Sequence, residues 1–190
     1  MSHISKILLV IVGVVVLCGL WVGASYNGLV GSREAVKTAF ANVDTQYQRR
    51  MDLIPNIVAT VQGSAKFEQS TLQAVVEARS AWAKAKTAGD TTTQIAAAQG
   101  FDGALSRLLV TVEAYPDLKS TQAFRDLITE LEGSENRISV ARRDYNNAVQ
   151  TYNVNIKRFP TNILAASFGF TAEPFFQAQA GAGKAPQVKF

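Results

Sequence analysis

The side chains that most often carry metal or acid–base chemistry are scarce in this 190-residue chain. His3 is its one histidine and Cys18 its one cysteine, and Cys18 lies inside a long apolar run. A di-iron helical bundle needs Glu-x-x-His spacings, and a zinc site needs nitrogen or sulfur ligands. Catalysis by a serine–histidine pair needs a histidine beside the nucleophile. None of these sites can be assembled from this sequence.

Glycine-rich phosphate-binding strings are also absent. The chain has neither the Gly-x-x-x-x-Gly-Lys-Ser/Thr string nor the dinucleotide-binding fingerprint. Chemistry by carboxylates or lysines stays formally open, but no spacing marks it. We therefore expect a non-enzymatic protein with no cofactor and no metal.

A polar cluster on the predicted helices has two interpretations. Arg49, Arg50 and Asp52 are close in sequence, and Arg50 and Arg79 fall on apolar stripes. The cluster either binds an acidic group of a partner or forms a buried ion-pair network that fixes the register of the helices. The second is favoured, because an unpaired buried guanidinium costs several kcal/mol. Candidate carboxylates are Asp44, Asp52, Glu113 and Glu135.

A second group of residues suggests contact with a membrane surface. Lys157 and Arg158 end a long predicted helix, and an aromatic segment follows. Basic side chains attract anionic headgroups, and phenylalanines can enter the interface. The alternative is that the aromatic side chains fold back onto the protein. The candidate aromatic residues are Phe168, Phe170, Phe175 and Phe176.

An uncharged run of 18 residues, Ile7 to Ala24, precedes all of these groups. As a helix it spans roughly 27 Å, close to the hydrocarbon thickness of a bilayer. Trp21 and Tyr26 sit where interfacial aromatic residues belong. We therefore predict a membrane anchor. The alternative is a signal peptide that is cleaved after Ala24.

Within this run, Gly19 and Gly23 have the spacing that lets membrane helices pack closely. They are the candidate contacts for self-association. Cys18 lacks a preceding lipobox and is interpreted as a buried small side chain. The numbers of positive charges on the two sides of the run are nearly equal, so they do not set the orientation of the protein in the membrane. The order of charged and apolar residues resembles a signal sequence, and this favours an extracytoplasmic position for the body.

The overall charge balance argues against nucleic-acid binding. The net charge is +4 and the pI is about 9.3, but basic and acidic residues are interleaved along the chain. Such interleaving is typical of a solvated surface.

Hydrophobic periodicity predicts an all-α protein. Helices are expected over about 32–63, 69–87, 93–114 and 120–158, and Pro55 should kink or interrupt the first. The last has the clearest heptad period, with Tyr145, Tyr152 and Phe159 predicted in the core. Since each helix has one apolar stripe to bury, we predict an antiparallel bundle of about four helices with long first and last members.

The chain is accordingly divided into five segments. Residues 1–6 form a short flank, 7–25 a transmembrane helix and 26–160 the helical bundle. Residues 161–176 form a short apolar, aromatic segment, and 177–190 an Ala/Gly/Gln-rich tail that should be flexible.

Several strings, in the same order, resemble the LemA family over roughly residues 26–177. These strings are YNGLV (26–30), RRMDLIPNIV (49–58), EAR (77–79), YPDL (115–118), ENRI (135–138), ARRDYN (141–146) and FF (175–176). The resemblance implies a bacterial membrane protein with an N-terminal transmembrane segment and a helical body. The family has no agreed biochemical activity, and some members are linked to specialised membranes in magnetosome-making bacteria.

These observations favour a membrane-tethered helical scaffold or interaction protein of the bacterial cell envelope. We expect a single-pass protein whose partners are the lipid bilayer and further copies of itself, and not nucleic acid. The alternative is an adaptor or sensor that presents substrates or signals to a membrane protease or another envelope protein.

Overall fold

The computed structural model describes residues 3–62 and 68–177, and these residues form an all-α fold without strands. The expected fold class is therefore confirmed, whereas the antiparallel four-helix bundle and the segment boundaries stay predictions. The expected end of the first helix at Gly63 and all but the first residue of the predicted tail lie outside the described residues. The helices are α1 (His3–Gln62), α2 (Gln69–Ala88), α3 (Thr91–Val112), α4 (Pro116–Lys119), α5 (Gln122–Lys157) and α6 (Thr161–Ser167).

The apolar run and the first predicted helix form one continuous helix, α1, of 60 residues. Nothing between the two requires a break, since no proline or residue of positive φ intervenes. The predicted interruption at Pro55 is wrong, because α1 continues through it. Ile54 and Ile57 are each 1% exposed on either side. Their burial, worth about 1.5–3 kcal/mol each, offsets the roughly 3 kcal/mol cost of a proline in a helix.

The turn between α2 and α3 falls in the gap between the helices predicted over 69–87 and 93–114. Gly89 ends α2 with φ +74°, a conformation that glycine adopts without steric cost. The Asp90 carboxylate accepts a hydrogen bond from the Thr93 backbone N–H at 2.8 Å and so caps α3. The Thr93 hydroxyl and this backbone N–H hold the pKa of Asp90 below its usual value.

The helix predicted over 120–158 is observed as α5, which is two residues shorter at its start and one residue shorter at its end. Pro116 opens the one-turn helix α4, and α5 begins only at Gln122. The Thr121 hydroxyl accepts a hydrogen bond from the Phe124 backbone N–H at 3.4 Å and so satisfies a backbone donor at the start of α5.

The chain divides into two compact units. The first unit contains described residues 3–40 and 144–173, so it is built on the first part of α1, the last part of α5, and α6. The second unit contains the described residues of 41–143 and 174–177. Each unit has its own buried side chains and is considered separately below.

In the first unit, α1 and the end of α5 run antiparallel. The Phe40 and Tyr145 rings are 5.4 Å apart, and the charge of Arg33 acts on Tyr152, seven residues further along α5. Tyr145 and Tyr152 are fully buried, as predicted. The same prediction for Phe159 is wrong. Its side chain is 77% exposed because α5 ends two residues earlier, and the heptad pattern ends with it.

Candidate functional site

The second unit buries a network of charged side chains supplied by three helices. Arg50 lies on α1, Asp102 on α3, and Glu135 and Arg142 on α5. Arg50 and Asp102 are 2% and 6% exposed, so water screens their charges little. This network and the pocket beside it form the candidate site.

Arg50, on α1, is bound by side chains of the two other helices, α3 and α5. Its Nε donates to Ser134 Oγ at 2.9 Å, its Nη1 donates to Asp102 Oδ1 at 3.0 Å, and its Nη2 donates to Glu135. Three of the five guanidinium N–H donors are therefore engaged by named side chains. A guanidinium fixed in this way orients α1 against α3 and α5 and is poorly placed to receive an external acid.

Asp102 is the centre of the network. Its Oδ2 accepts hydrogen bonds from the Tyr47 hydroxyl at 2.9 Å and from Arg142, and its Oδ1 accepts from Arg50. Burial raises the pKa of Asp102 to about 7, and the charge and hydrogen bond of Arg50 oppose this rise. The negative charge of Glu135 adds to it. Asp102 therefore titrates near neutral pH.

Arg142 completes the network from α5. Its guanidinium lies 5.3 Å from the centre of the Tyr47 ring and 5.2 Å from that of Phe176, distances typical of cation–π contacts. Burial lowers the pKa of Arg142. Its Nε is buried and makes no hydrogen bond within the described part of the chain.

A pocket of about 320 Å³ lies against this network. Its polar wall includes Glu132 and Glu135, and its apolar wall includes Leu105, Leu109 and Leu131. Among the residues that the structure describes, no group of three His, Cys, Asp or Glu side chains could hold a metal ion. With its buried charges already paired, the site is better suited to fixing helix register than to acid–base chemistry.

The structure does not bring the four predicted cluster residues together. Arg49 is exposed, and Asp52 accepts a hydrogen bond from Gln48 at 3.0 Å. Arg79 is half-buried on α2, where it lines a different pocket beside Trp82. Only Arg50 belongs to the buried network.

Among the four carboxylates considered for Arg50 and Arg79, only Glu135 meets Arg50, whereas Asp44 pairs with Lys86 at 2.8 Å. Sequence reasoning missed Asp102 and Arg142, although a signal was present. Asp102 follows Ala98 by four residues and precedes Leu105 by three, on the apolar face predicted for α3. A carboxylate on an apolar face predicts a buried partner.

In the first unit, the predicted anchor residues are exposed. Apolar side chains from Ile7 to Leu20 are more than half exposed, and Trp21 and Tyr26 are 41% and 39% exposed. None of the most apolar window of α1 is buried, and α1 is long and apolar enough to cross a membrane. A Cβ added to Gly19 or Gly23 would meet no atom within 4 Å, so this face of the helix is open.

The predicted membrane-surface residues are only partly grouped together. Lys157, Arg158 and Phe168 are exposed in the first unit, and Phe170 is half-buried. Phe175 is exposed, but it belongs to the second unit. The expectation for Phe176 is wrong. Its side chain is 7% exposed because it packs against Arg142.

A sequence model of the LemA family matches residues 39–190. The magnetosome protein MamQ 2 of Paramagnetospirillum magneticum is 30% identical over 186 residues, covering 86% of this chain and 68% of the relative. MamQ of Magnetospirillum gryphiswaldense is 28% identical over the same shares of both chains. Protein LemA of Metamycoplasma hominis is 25% identical over 152 residues, covering 80% of this chain and 68% of the relative.

Proposed function

The chain belongs to the LemA family, and we propose that it is a non-enzymatic, membrane-tethered scaffold or interaction protein of the bacterial cell envelope that associates with itself. One observation carries the proposal. No residue in the most apolar window of α1 is buried, yet the same helix continues without a break to Gln62 in the second unit. A helix with one apolar, exposed part and one part that enters a folded core joins a bilayer to a protein body.

The buried network supports a role without catalysis. Arg50 and Asp102 bind each other and their neighbours, so the most buried charges are committed to structure. The relatives carry the names of LemA and of a magnetosome protein, and neither name denotes an enzyme activity. An interaction protein needs a stable body and exposed contact faces, and both are compatible with this arrangement.

Self-association is proposed to use the open face of α1 at Gly19 and Gly23. Small residues four positions apart allow two membrane helices to approach closely, because no side chain separates their backbones. Both glycines are free of neighbouring atoms on this face. Gly13 is equally open but lies outside the four-residue spacing, so it offers a matched control.

The test is the native mass of the full chain, extracted in detergent, together with crosslinking in native membranes. We expect a homo-oligomer that dissociates in the Gly19→Ile/Gly23→Ile variant and persists in Gly13→Ile. A monomer that copurifies with one other envelope protein would contradict self-association and favour an adaptor or sensor. The same crosslinks, made with reagents confined to one side of the membrane, test the proposed extracytoplasmic position of the body.

A further inference from the structure

We propose that the first unit carries a lipid-contact surface at the end of α5, which lies against the anionic headgroups of the membrane that holds α1. The lipid-contact surface consists of Phe159, Ile163 and Phe168 with the cations Lys157 and Arg158. This inference rests on the proposed function, since it takes the apolar run of α1 to be embedded in a bilayer.

Exposure is the first argument. Phe159, Ile163 and Phe168 are 77%, 58% and 53% exposed, and they lie within ten residues of one another. Leaving three large apolar side chains in water forgoes the free energy of their burial. Clusters of this kind mark contact with a partner or a membrane.

Position along the helices is the second argument. The rings of Phe40 and Tyr145 are in contact, and the two helices run antiparallel from there. Tyr26 lies 14 residues before Phe40 on α1, or about 21 Å, and Lys157, the last residue of α5, lies 12 residues after Tyr145, or about 18 Å. The lipid-contact surface therefore lies level with Tyr26, two residues after the end of the apolar run. This is the depth at which a spanning helix meets the headgroups.

Attachment to α1 is the third argument. The Phe168 ring lies edge-on to Tyr26 with the centroids 5.0 Å apart, and Phe170 lies 5.8 Å from the same ring. The Asn153 side-chain amide donates to the Glu173 carbonyl and accepts from the Glu173 N–H, both at 2.9 Å. The ring contacts hold the segment that carries Phe168 against α1, and the Asn153 hydrogen bonds hold its far end against α5, while the Phe168 ring stays exposed.

Charge is the fourth argument and identifies the kind of lipid. Residues 157–172 include two cations and no acidic residue. Lys157 and Arg158 are both exposed at the end of α5. Cations beside exposed aromatic side chains match an anionic headgroup layer above an apolar one.

The test measures quenching of tryptophan fluorescence by brominated lipids in the full chain, reconstituted into bilayers of phosphatidylethanolamine and phosphatidylglycerol. Trp82→Phe leaves Trp21 as the single tryptophan and reports on the anchor. Phe159→Trp, made with Trp21→Phe and Trp82→Phe, reports on the lipid-contact surface. Val140→Trp in the same background is the control, because Val140 is 46% exposed but lies on α5 roughly 25 Å before Lys157.

We expect quenching in the Trp21 and Phe159→Trp reporters, strongest with bromine high on the acyl chain, and little in Val140→Trp. Adding Lys157→Gln and Arg158→Gln to the Phe159→Trp variant should reduce its quenching, as should replacing phosphatidylglycerol by phosphatidylcholine. Both changes remove the attraction between cations and anionic lipid, and neither alters a buried residue.

The experiment distinguishes failure of the lipid-contact surface from failure of the membrane anchor. Quenching at Trp21 without quenching in Phe159→Trp overturns the lipid-contact surface and leaves the anchor intact. If the Phe159→Trp reporter is also shielded from aqueous iodide in that case, a protein covers the surface instead. Equal quenching in Phe159→Trp and Val140→Trp would contradict the proposal that lipid contacts the end of α5 in preference to the rest of that helix. Absence of quenching at Trp21 overturns the anchor and, with it, this inference.

Discussion

The first unit exposes large apolar side chains, whereas the second unit buries charged ones. Val15, in the apolar run, is 65% exposed, and Phe159 is 77% exposed. In the second unit, Arg50 and Asp102 are 2% and 6% exposed. Exposed apolar side chains are stable when lipid replaces water around them, and buried charges are stable when they are paired and hydrogen-bonded. The two units therefore differ in what stabilises their side chains: a lipid environment for the exposed apolar ones, and ion pairs and hydrogen bonds for the buried charged ones.

The largest expected effect tests the buried charges. Arg50→Met removes the guanidinium that binds Asp102, Ser134 and Glu135, so the free energy of unfolding should fall by roughly 3–5 kcal/mol. Trp82 is 4% exposed and reports on this unit once Trp21 is replaced by Phe. Denaturant unfolding followed by Trp82 fluorescence measures the change.

Arg49→Met is the matched control, because Arg49 is adjacent in sequence but exposed. Its effect should stay within about 0.5 kcal/mol. Equal stability of the two variants, with loss of partner binding only in Arg50→Met, would show that Arg50 serves a partner and not the fold.

The next effect tests the exposed apolar side chains. Val15 and Val110 are similarly exposed, at 65% and 69%, but Val15 lies in the apolar run and Val110 on α3. Val15→Arg should disfavour membrane insertion by about 2.5–3.5 kcal/mol, whereas Val110→Arg should leave it unchanged. Fractionation of carbonate-washed membranes measures the bound share of each variant. Equal shares of Val15→Arg and Val110→Arg in the membrane fraction would contradict the claim that the apolar run is embedded in the bilayer.

A third effect concerns pH and the buried carboxyl. Asp102 has a folded pKa of about 7, above its ordinary value of 3.8. Between these values the folded state keeps a proton that the unfolded state has lost, so stability falls as pH rises. We expect a loss of about 2 kcal/mol between about pH 5 and about pH 7, measured by denaturant unfolding at each pH. Asp102→Asn should remove this loss of stability between about pH 5 and about pH 7. If the free energy of unfolding of that variant still falls over the same range, groups other than Asp102 cause the pH dependence.

The smallest effect concerns the polar contacts of the first unit. Asn153→Ala removes both hydrogen bonds to the Glu173 backbone and should loosen the segment by about 1–2 kcal/mol. Hydrogen exchange at the Glu173 amide should then be roughly tenfold faster. Asn147→Ala, at an exposed site on the same helix, should leave this rate unchanged. Unchanged exchange in Asn153→Ala would show that ring contacts alone hold the segment.

Much of the fold follows from local patterns in the sequence. Gly89 and Asp90 mark the α2–α3 turn by their own conformational and capping preferences, and the heptad period of α5 predicts the burial of Tyr145 and Tyr152. The interruption predicted at Pro55 is wrong, because the cost of proline is local whereas Ile54 and Ile57 beside it are buried by the tertiary structure. The burial predicted for Phe159 is wrong because the prediction extends the heptad period past the end of α5 at Lys157.

The candidate site was less predictable than the fold. The apolar stripe correctly placed Arg50 inside, but its partner Asp102 lies 52 residues away on another helix. No periodicity specifies which carboxylate meets which guanidinium, since that depends on how three helices are rotated about their axes. Phe176 shows the same limit. Its aromatic character fits a membrane surface and a cation–π contact equally well, and only the fold places it against Arg142.

The central claim is that the apolar run remains part of α1 and holds the protein in the membrane. The most direct test is the intact mass of the chain recovered from carbonate-washed bacterial membranes. We predict the mass of the full 190-residue chain, 20.5 kDa, in the membrane fraction. A chain that begins at Ser25 and is released by the wash would contradict the claim, because the run would then be a cleaved signal sequence.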